Sequence, residues 1–153
     1  MTRARGVRGQ GRPLPLEQRV FLELTKTQDQ KLAALAALLK QHGLSGPQFN
    51  VLRILRGTGS EGLACHAVSE RMLTRLPDIT RLVDRLAAGG LVTRERGVPA
   101  DRRCVIIHIT RKGLGLLSGL DRPVVELHQA QFSSLSQNEL RDLEGLLAKA
   151  RGQ

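Results

Sequence analysis

At Gly89-Gly90 the hydrophobic pattern of this chain changes period, and few folds accommodate what lies on either side. Before the glycines, Leu76, Ile79, Leu82, Val83 and Leu86 recur at spacings of three and four. That spacing predicts a helix from about Leu76 to Ala88 with one apolar stripe. Its other faces carry Arg75, Pro77, Asp78, Thr80, Arg81, Asp84 and Arg85. After the glycines, Leu91 to Arg96 and Cys104 to Ile109 read as strands, the second with the β-branched run Val105-Ile106-Ile107. Seven residues, Gly97 to Arg103, separate them. The product is a helix followed by a β-hairpin with a long basic tip.

The remaining segments read as helices. Phe21, Leu24, Gln28, Leu32, Leu35 and Leu39 give a helix from about Leu16 to Gln41, with Gly43 just past its end. Ser45 and Gln48 form a capping box for a second helix, with Pro47 in its first turn and Phe49, Leu52 and Leu55 on its buried face. The cluster Gly57-Thr58-Gly59-Ser60 closes it. Cys65 to Met72 is a short third helix, and Leu73-Thr74 breaks it from the fourth. Thr110 caps a fifth helix carrying Leu117, Leu120, Val124 and Leu127, in which Pro123 should produce a kink. Ser136 and Glu139 cap a sixth, carrying Leu140, Leu143, Leu146 and Leu147. With 27 Leu, three Phe and neither Trp nor Tyr, the core must be aliphatic. So few aromatics also argue against single-strand binding, which relies on stacking platforms.

Charge narrows the function. The 24 Lys and Arg exceed the 14 Asp and Glu by ten, which calls for a polyanionic partner. Arg3, Arg5, Arg8 and Arg12 lie in residues 1–15 with no acid, in a Gly-rich composition that predicts a flexible basic arm able to add phosphate contacts. The rest of the chain keeps 20 bases against 14 acids. No apolar stretch approaches the roughly 18–20 residues of a membrane span, and no secretory signal precedes the first helix. Two cysteines without CxxC spacing make a disulfide framework unexpected, so a reducing, cytoplasmic setting is the expectation. Cys65-His66, Cys104 and His108 match no metal spacing, and no catalytic motif stands out. The expectations are therefore no metal, no cofactor, no enzyme activity, and thiols that are buried and unreactive.

Short helix, turn, helix and hairpin is the order of a winged helix-turn-helix. A helix about 10–12 Å across fits the major groove of B-DNA, while the first helix of the pair braces it against the backbone. The hairpin tip then reaches the neighbouring minor groove, whose negative potential favours arginine. From Arg71 to Arg103 all eight basic residues are Arg, the side chain that bonds guanine or phosphate bidentately.

The stretch Leu76-Pro77-Asp78-Ile79-Thr80-Arg81-Leu82-Val83-Asp84-Arg85-Leu86 closely resembles the recognition helix of the MarR family of bacterial transcription regulators. Gly90-Leu91-Val92-Thr93-Arg94 resembles that family's first wing strand, and Asp101-Arg102-Arg103 with the following strand, Ile109-Thr110 and Gly113 resembles its wing signature. The resemblance covers about residues 16–150. It implies a mainly α fold with a small β-hairpin wing (α+β). A winged helix-turn-helix lobe at about 45–110 would stand between terminal dimerisation helices at about 16–42 and 111–151, all within one domain, 16–153.

The function implied is that of a homodimeric, sequence-specific double-stranded DNA-binding regulator. It would be a repressor reading a pseudo-palindromic operator and released by a small aromatic or anionic effector. DNA contacts are expected from Ser69, Thr74, Arg75, Pro77, Asp78, Thr80 and Arg81. Arg102 or Arg103 is the expected minor-groove finger, oriented by Asp101. For Arg81 the competing role is an ion pair with Asp78 or Asp84; for Ser69 and Thr74 it is helix capping. Asp84 and Arg85 are expected in structural ion pairs, and Arg53 and Arg56 on a solvated face. The alternatives are a nonspecific, nucleoid-type binder and a redox or metal sensor using Cys and His.

Overall fold

The computed structural model describes residues 13–74, 78–96 and 105–153. Most of the basic arm, the segment Arg75-Leu76-Pro77, and the hairpin tip with Cys104 lie outside them. The elements run α1 (Leu16–Gln41), α2 (Gly46–Gly57), β1 (Leu63–Ala64), α3 (Cys65–Arg71), α4 (Ile79–Ala88), β2 (Val92–Arg96), β3 (Val105–Ile109), α5 (Arg111–Gln131) and α6 (Gln137–Ala150). The chain divides into two units, the first ending at Ala33 and the second running Ala34–Gln153.

In the first unit, α1 presents apolar side chains to solvent. Phe21 is 66% exposed, and Leu16, Val20, Leu24 and Leu32 are also exposed. In the second unit the core is aliphatic. Leu39, Leu52, Leu55, Val68, Val83, Leu86, Ile107, Leu117 and Leu120 are fully buried, with Phe49 the one aromatic among the buried residues. Each helix of this unit therefore contributes an apolar stripe, except α6, which buries no residue completely.

The capping signals act as their residues imply. The Ser45 hydroxyl accepts from the Gln48 N–H at 3.3 Å, and the Gln48 side chain accepts from the Ser45 N–H at 2.9 Å. Ser136 and Glu139 make the same box at the start of α6. Hydrogen bonds from the Ser136 backbone and side chain hold the exposed Glu139 carboxyl below the usual carboxylate range. At Pro123 α5 continues as one helix.

Parts of this layout depart from the sequence reading. Helix α4 begins at Ile79, not Leu76, because the Asp78 carboxylate accepts from the Arg81 N–H at 3.0 Å and caps it. Pro77 disfavours a helical Leu76, which the apolar stripe alone concealed. The second wing strand is described over Val105–Ile109, and its expected first residue, Cys104, lies outside the described residues. The hairpin also gains a third, unexpected strand. The sheet order is β1-β3-β2, all antiparallel, with Leu63 opposite Ile107 and Ala64 opposite Ile106. Gly62 permits this, since it lies at φ +68° and a Cβ there would stand 2.6 Å from the His108 ring. His108 in turn fastens the sheet to the loop after α2, with Nδ1 3.2 Å from the Ser60 carbonyl.

Candidate nucleic-acid interface

Helix α4 is fixed from behind. Leu82, Val83 and Leu86 of α4 enter the core, where α2 supplies Phe49, Val51, Leu52 and Leu55. That anchoring leaves Thr80, Arg81, Asp84 and Arg85 exposed together on the opposite face. The C-terminal end of α4 is closed by Gly90 at φ +70°, and the Leu91 N–H reaches back to the Leu86 carbonyl at 2.9 Å.

The turn after α4 is tied to α5. The Thr110 hydroxyl donates to the Gly90 carbonyl at 2.7 Å, and its N–H donates to the Leu91 carbonyl at 3.0 Å. The same hydroxyl accepts from the Gly113 N–H at 3.1 Å, capping α5. Lys112 Nζ donates to the Gly89 carbonyl at 2.8 Å. The end of α4 and the start of α5 therefore form one hydrogen-bonded joint.

The residues expected at the DNA, with Asp101 that would orient the wing, fall into four groups. Thr80 and Arg81 share the exposed face of α4. Ser69 lies half-buried on α3, and Thr74 is exposed in the bend that follows. Arg75, Pro77, Asp101, Arg102 and Arg103 lie outside the described residues. Asp78 acts as the cap of α4, and its second carboxylate oxygen lies 3.2 Å from Arg81 Nε. The Arg81 side chain is nonetheless 78% exposed, and so open an ion pair holds it by little. A guanine or phosphate can compete for that guanidinium.

Two arginines differ from expectation. Arg85 has no ion-pair partner among the described residues, because no acid stands three or four positions away on its own helix. Among the described residues it is an unpaired cation on the exposed face of α4. Arg56 does not lie on a purely solvated face. Its Nη1 is 2.9 Å from Asp121 Oδ2, which joins α2 to α5 across 65 positions. Arg53 stands over the Phe49 ring, 5.8 Å from its centroid. Asp84 does enter a structural pair, and its partner is Arg94 of β2.

Cys65 is half-buried and free. Burial pushes its thiol above the usual range, Arg94 pulls it down, and Asp84 pushes it up. In a Cys104→Ser background, iodoacetamide should alkylate Cys65 more slowly at pH 7 than it alkylates glutathione. The rate should keep rising as pH passes the ordinary thiol range. A rate at pH 7 equal to or above glutathione's would contradict a raised thiol. Among the described residues no group of three or more His, Cys, Asp or Glu could hold a metal ion, and no helix is long and apolar enough to cross a membrane.

Comparison with known proteins agrees with this geometry. Residues 42–103 match the MarR family profile. An HTH-type transcriptional regulator of Bacillus subtilis, YkoM, is 35% identical over 112 residues, covering 72% of this chain and 70% of that protein. A MarR transcription factor from Planctomyces limnophilus, known by crystal structure, is 39% identical with a TM-score of 0.70, covering 90% of this chain and 98% of that one. A mutant E. coli MarR crystallised with operator DNA is 25% identical with a TM-score of 0.77, covering 90% of this chain and 99% of that one.

Proposed function

We propose, from the premise that this chain belongs to the MarR family of transcription regulators, that it is a homodimeric repressor reading an inverted repeat in duplex DNA. The observation that carries the reading is the two-sided α4, with an apolar stripe locked in the core and Thr80, Arg81 and Arg85 exposed on the other side. Such a helix can enter a major groove without disturbing its own packing. Ser69 and Thr74 would bond flanking phosphates, and Arg75 and Pro77 would sit beside the groove. Arg102 or Arg103 would enter the minor groove under the direction of Asp101. The domain division of the sequence reading stands as part of the same proposal, with helices at both ends of the chain joining two copies. The basic arm of residues 1–15 would add phosphate contacts. The solvent-facing Val20, Phe21, Leu24 and Leu32 support the homodimer, because a lone chain leaves that face wet. Sedimentation should give a particle of twice the 16.8 kDa chain mass; a monomer at micromolar concentration would remove the two-fold reading. Release by a small aromatic or anionic effector rests on the family resemblance, and simple benzoates and phenols are the compounds to screen for displacement from DNA.

The test is to incubate the protein with sheared genomic DNA and excess nonspecific competitor near physiological salt, then sequence what it retains. A short inverted repeat with half-sites about one helical turn apart is the expected result. Retention without a shared motif would replace this reading by the nonspecific one. Arg81→Ala should then cost about 1–3 kcal/mol on the recovered site and less on random duplex. Equal losses on both would mean Arg81 contacts phosphate alone.

A further inference from the structure

The alternation of β2 sets up an anomaly. Val92 pairs with Ile109 and Arg94 with Ile107, and directly opposed residues share a face of the sheet. Val92 and Ile107 are buried in the core, so Arg94 stands at an inward position of an edge strand, where the pattern calls for an apolar side chain. Its guanidinium crosses to the reading helix. Nη1 meets Asp84 Oδ1 at 2.5 Å, and Nη2 reaches the Thr80 carbonyl at 3.5 Å. Thr80 and Asp84 are one helical turn apart, so one planar cation grips α4 at two points.

We propose that Arg94 and Asp84 are a positioning pair that fixes the angle between the reading helix and the wing, and that they govern sequence discrimination rather than supply DNA affinity through charge. The proposal rests on the DNA-reading function above and assigns it two residues. A winged reader must place its helix in one groove and its hairpin in the next at the same time. β2 leads directly into residues 97–104, which carry Asp101-Arg102-Arg103. Any rotation of β2 against α4 therefore changes the direction in which the strand leaves the reading helix toward the hairpin tip. Strand pairing fixes one end of the grip and the buried stripe of α4 fixes the other. The pair is half-open, with side chains 35% and 52% exposed, so it stabilises the fold by little. Its effect is geometric.

Charge and position predict opposite signs at Asp84, which makes the proposal testable. Asp84→Asn removes an acid from a surface facing a polyanion. If Asp84 acts only through charge, the variant binds every duplex more tightly. If it positions the helix, affinity for the selected inverted repeat falls, by about tenfold on the scale of coupled contact pairs, while affinity for random duplex of the same length holds or rises. Arg94→Lys keeps the charge and loses the two-point grip, so it should reproduce the loss on the inverted repeat. The double variant Asp84→Asn/Arg94→Lys should be no worse than either single one. Thermal midpoints within a few degrees of the parent would show that all three remain folded. Specific binding left intact or improved by Asp84→Asn overturns the proposal, as do additive losses in the double variant. A parent protein that does not distinguish the two duplexes overturns the proposed function as well.

Discussion

Gly113→Ala should cost the protein about 3 kcal/mol and lower its thermal midpoint by roughly 10 °C. A Cβ at residue 113 would press into the Leu91 carbonyl oxygen and stand 2.8 Å from the Ile109 side chain. The first of these is backbone, so no rotamer change relieves it. The Leu91 carbonyl is also the acceptor for the Thr110 N–H. Moving it breaks the joint that ties the turn after α4 to the start of α5. Gly115 lies on the same helix, and a Cβ there would meet nothing within 4 Å. Gly115→Ala should therefore stabilise by about 0.5–1 kcal/mol through helix propensity alone. Opposite signs two residues apart, read as urea midpoints at one fixed protein concentration, are the expected result. Equal effects would mean that α5 is not held at Gly113.

Local signals in this sequence carry their elements almost to the residue. Ser45 with Gln48, Ser136 with Glu139, and Thr110 begin their helices where side-chain oxygens can satisfy free N–H groups. Those bonds form within four residues, so the sequence contains both partners side by side. What it conceals is made between distant segments. The strand Leu63–Ala64 is two residues long and exists only because β3 lies beside it. The Arg56–Asp121 pair joins positions 65 apart, and neither residue has a neighbour that hints at the other. Asp84 is legible as a paired residue, but its partner on β2 is not. The inward place of Arg94 follows from alternation with Val92, and that signal is present in the sequence. The start of α4 is obscured for another reason. The apolar stripe extends back to Leu76, while the stronger boundary signal is an aspartate after a proline, at Asp78. The exposure of Thr80 and Arg81 is legible because the stripe of Leu82, Val83 and Leu86 fixes the opposite side of α4 in the core.

Leu86→Ala should destabilise the protein by about 2–5 kcal/mol, while Arg85→Ala, one residue away, should leave stability within about 0.5 kcal/mol. Leu86 is fully buried in the core beneath α4, and its removal leaves a cavity that the surrounding helices fill only in part. Arg85 is exposed and unpaired among the described residues, so its loss removes no internal contact. On DNA the order should reverse. Arg85→Ala should weaken binding to both specific and random duplex and reduce the salt slope by about one, as the loss of a phosphate contact does. Leu86→Ala, measured at low temperature where the protein remains folded, should bind nearly as well as the parent. The backbone frame of α4 survives the cavity, because the Asp78 cap and the Gly90 turn hold both of its ends. If Leu86→Ala lost DNA affinity in step with stability, the helix would depend on its packing for its reading geometry. If Arg85→Ala lost stability as well, the two faces of α4 would not be separable, and the division between a buried anchor and a free reading surface would fail at its centre.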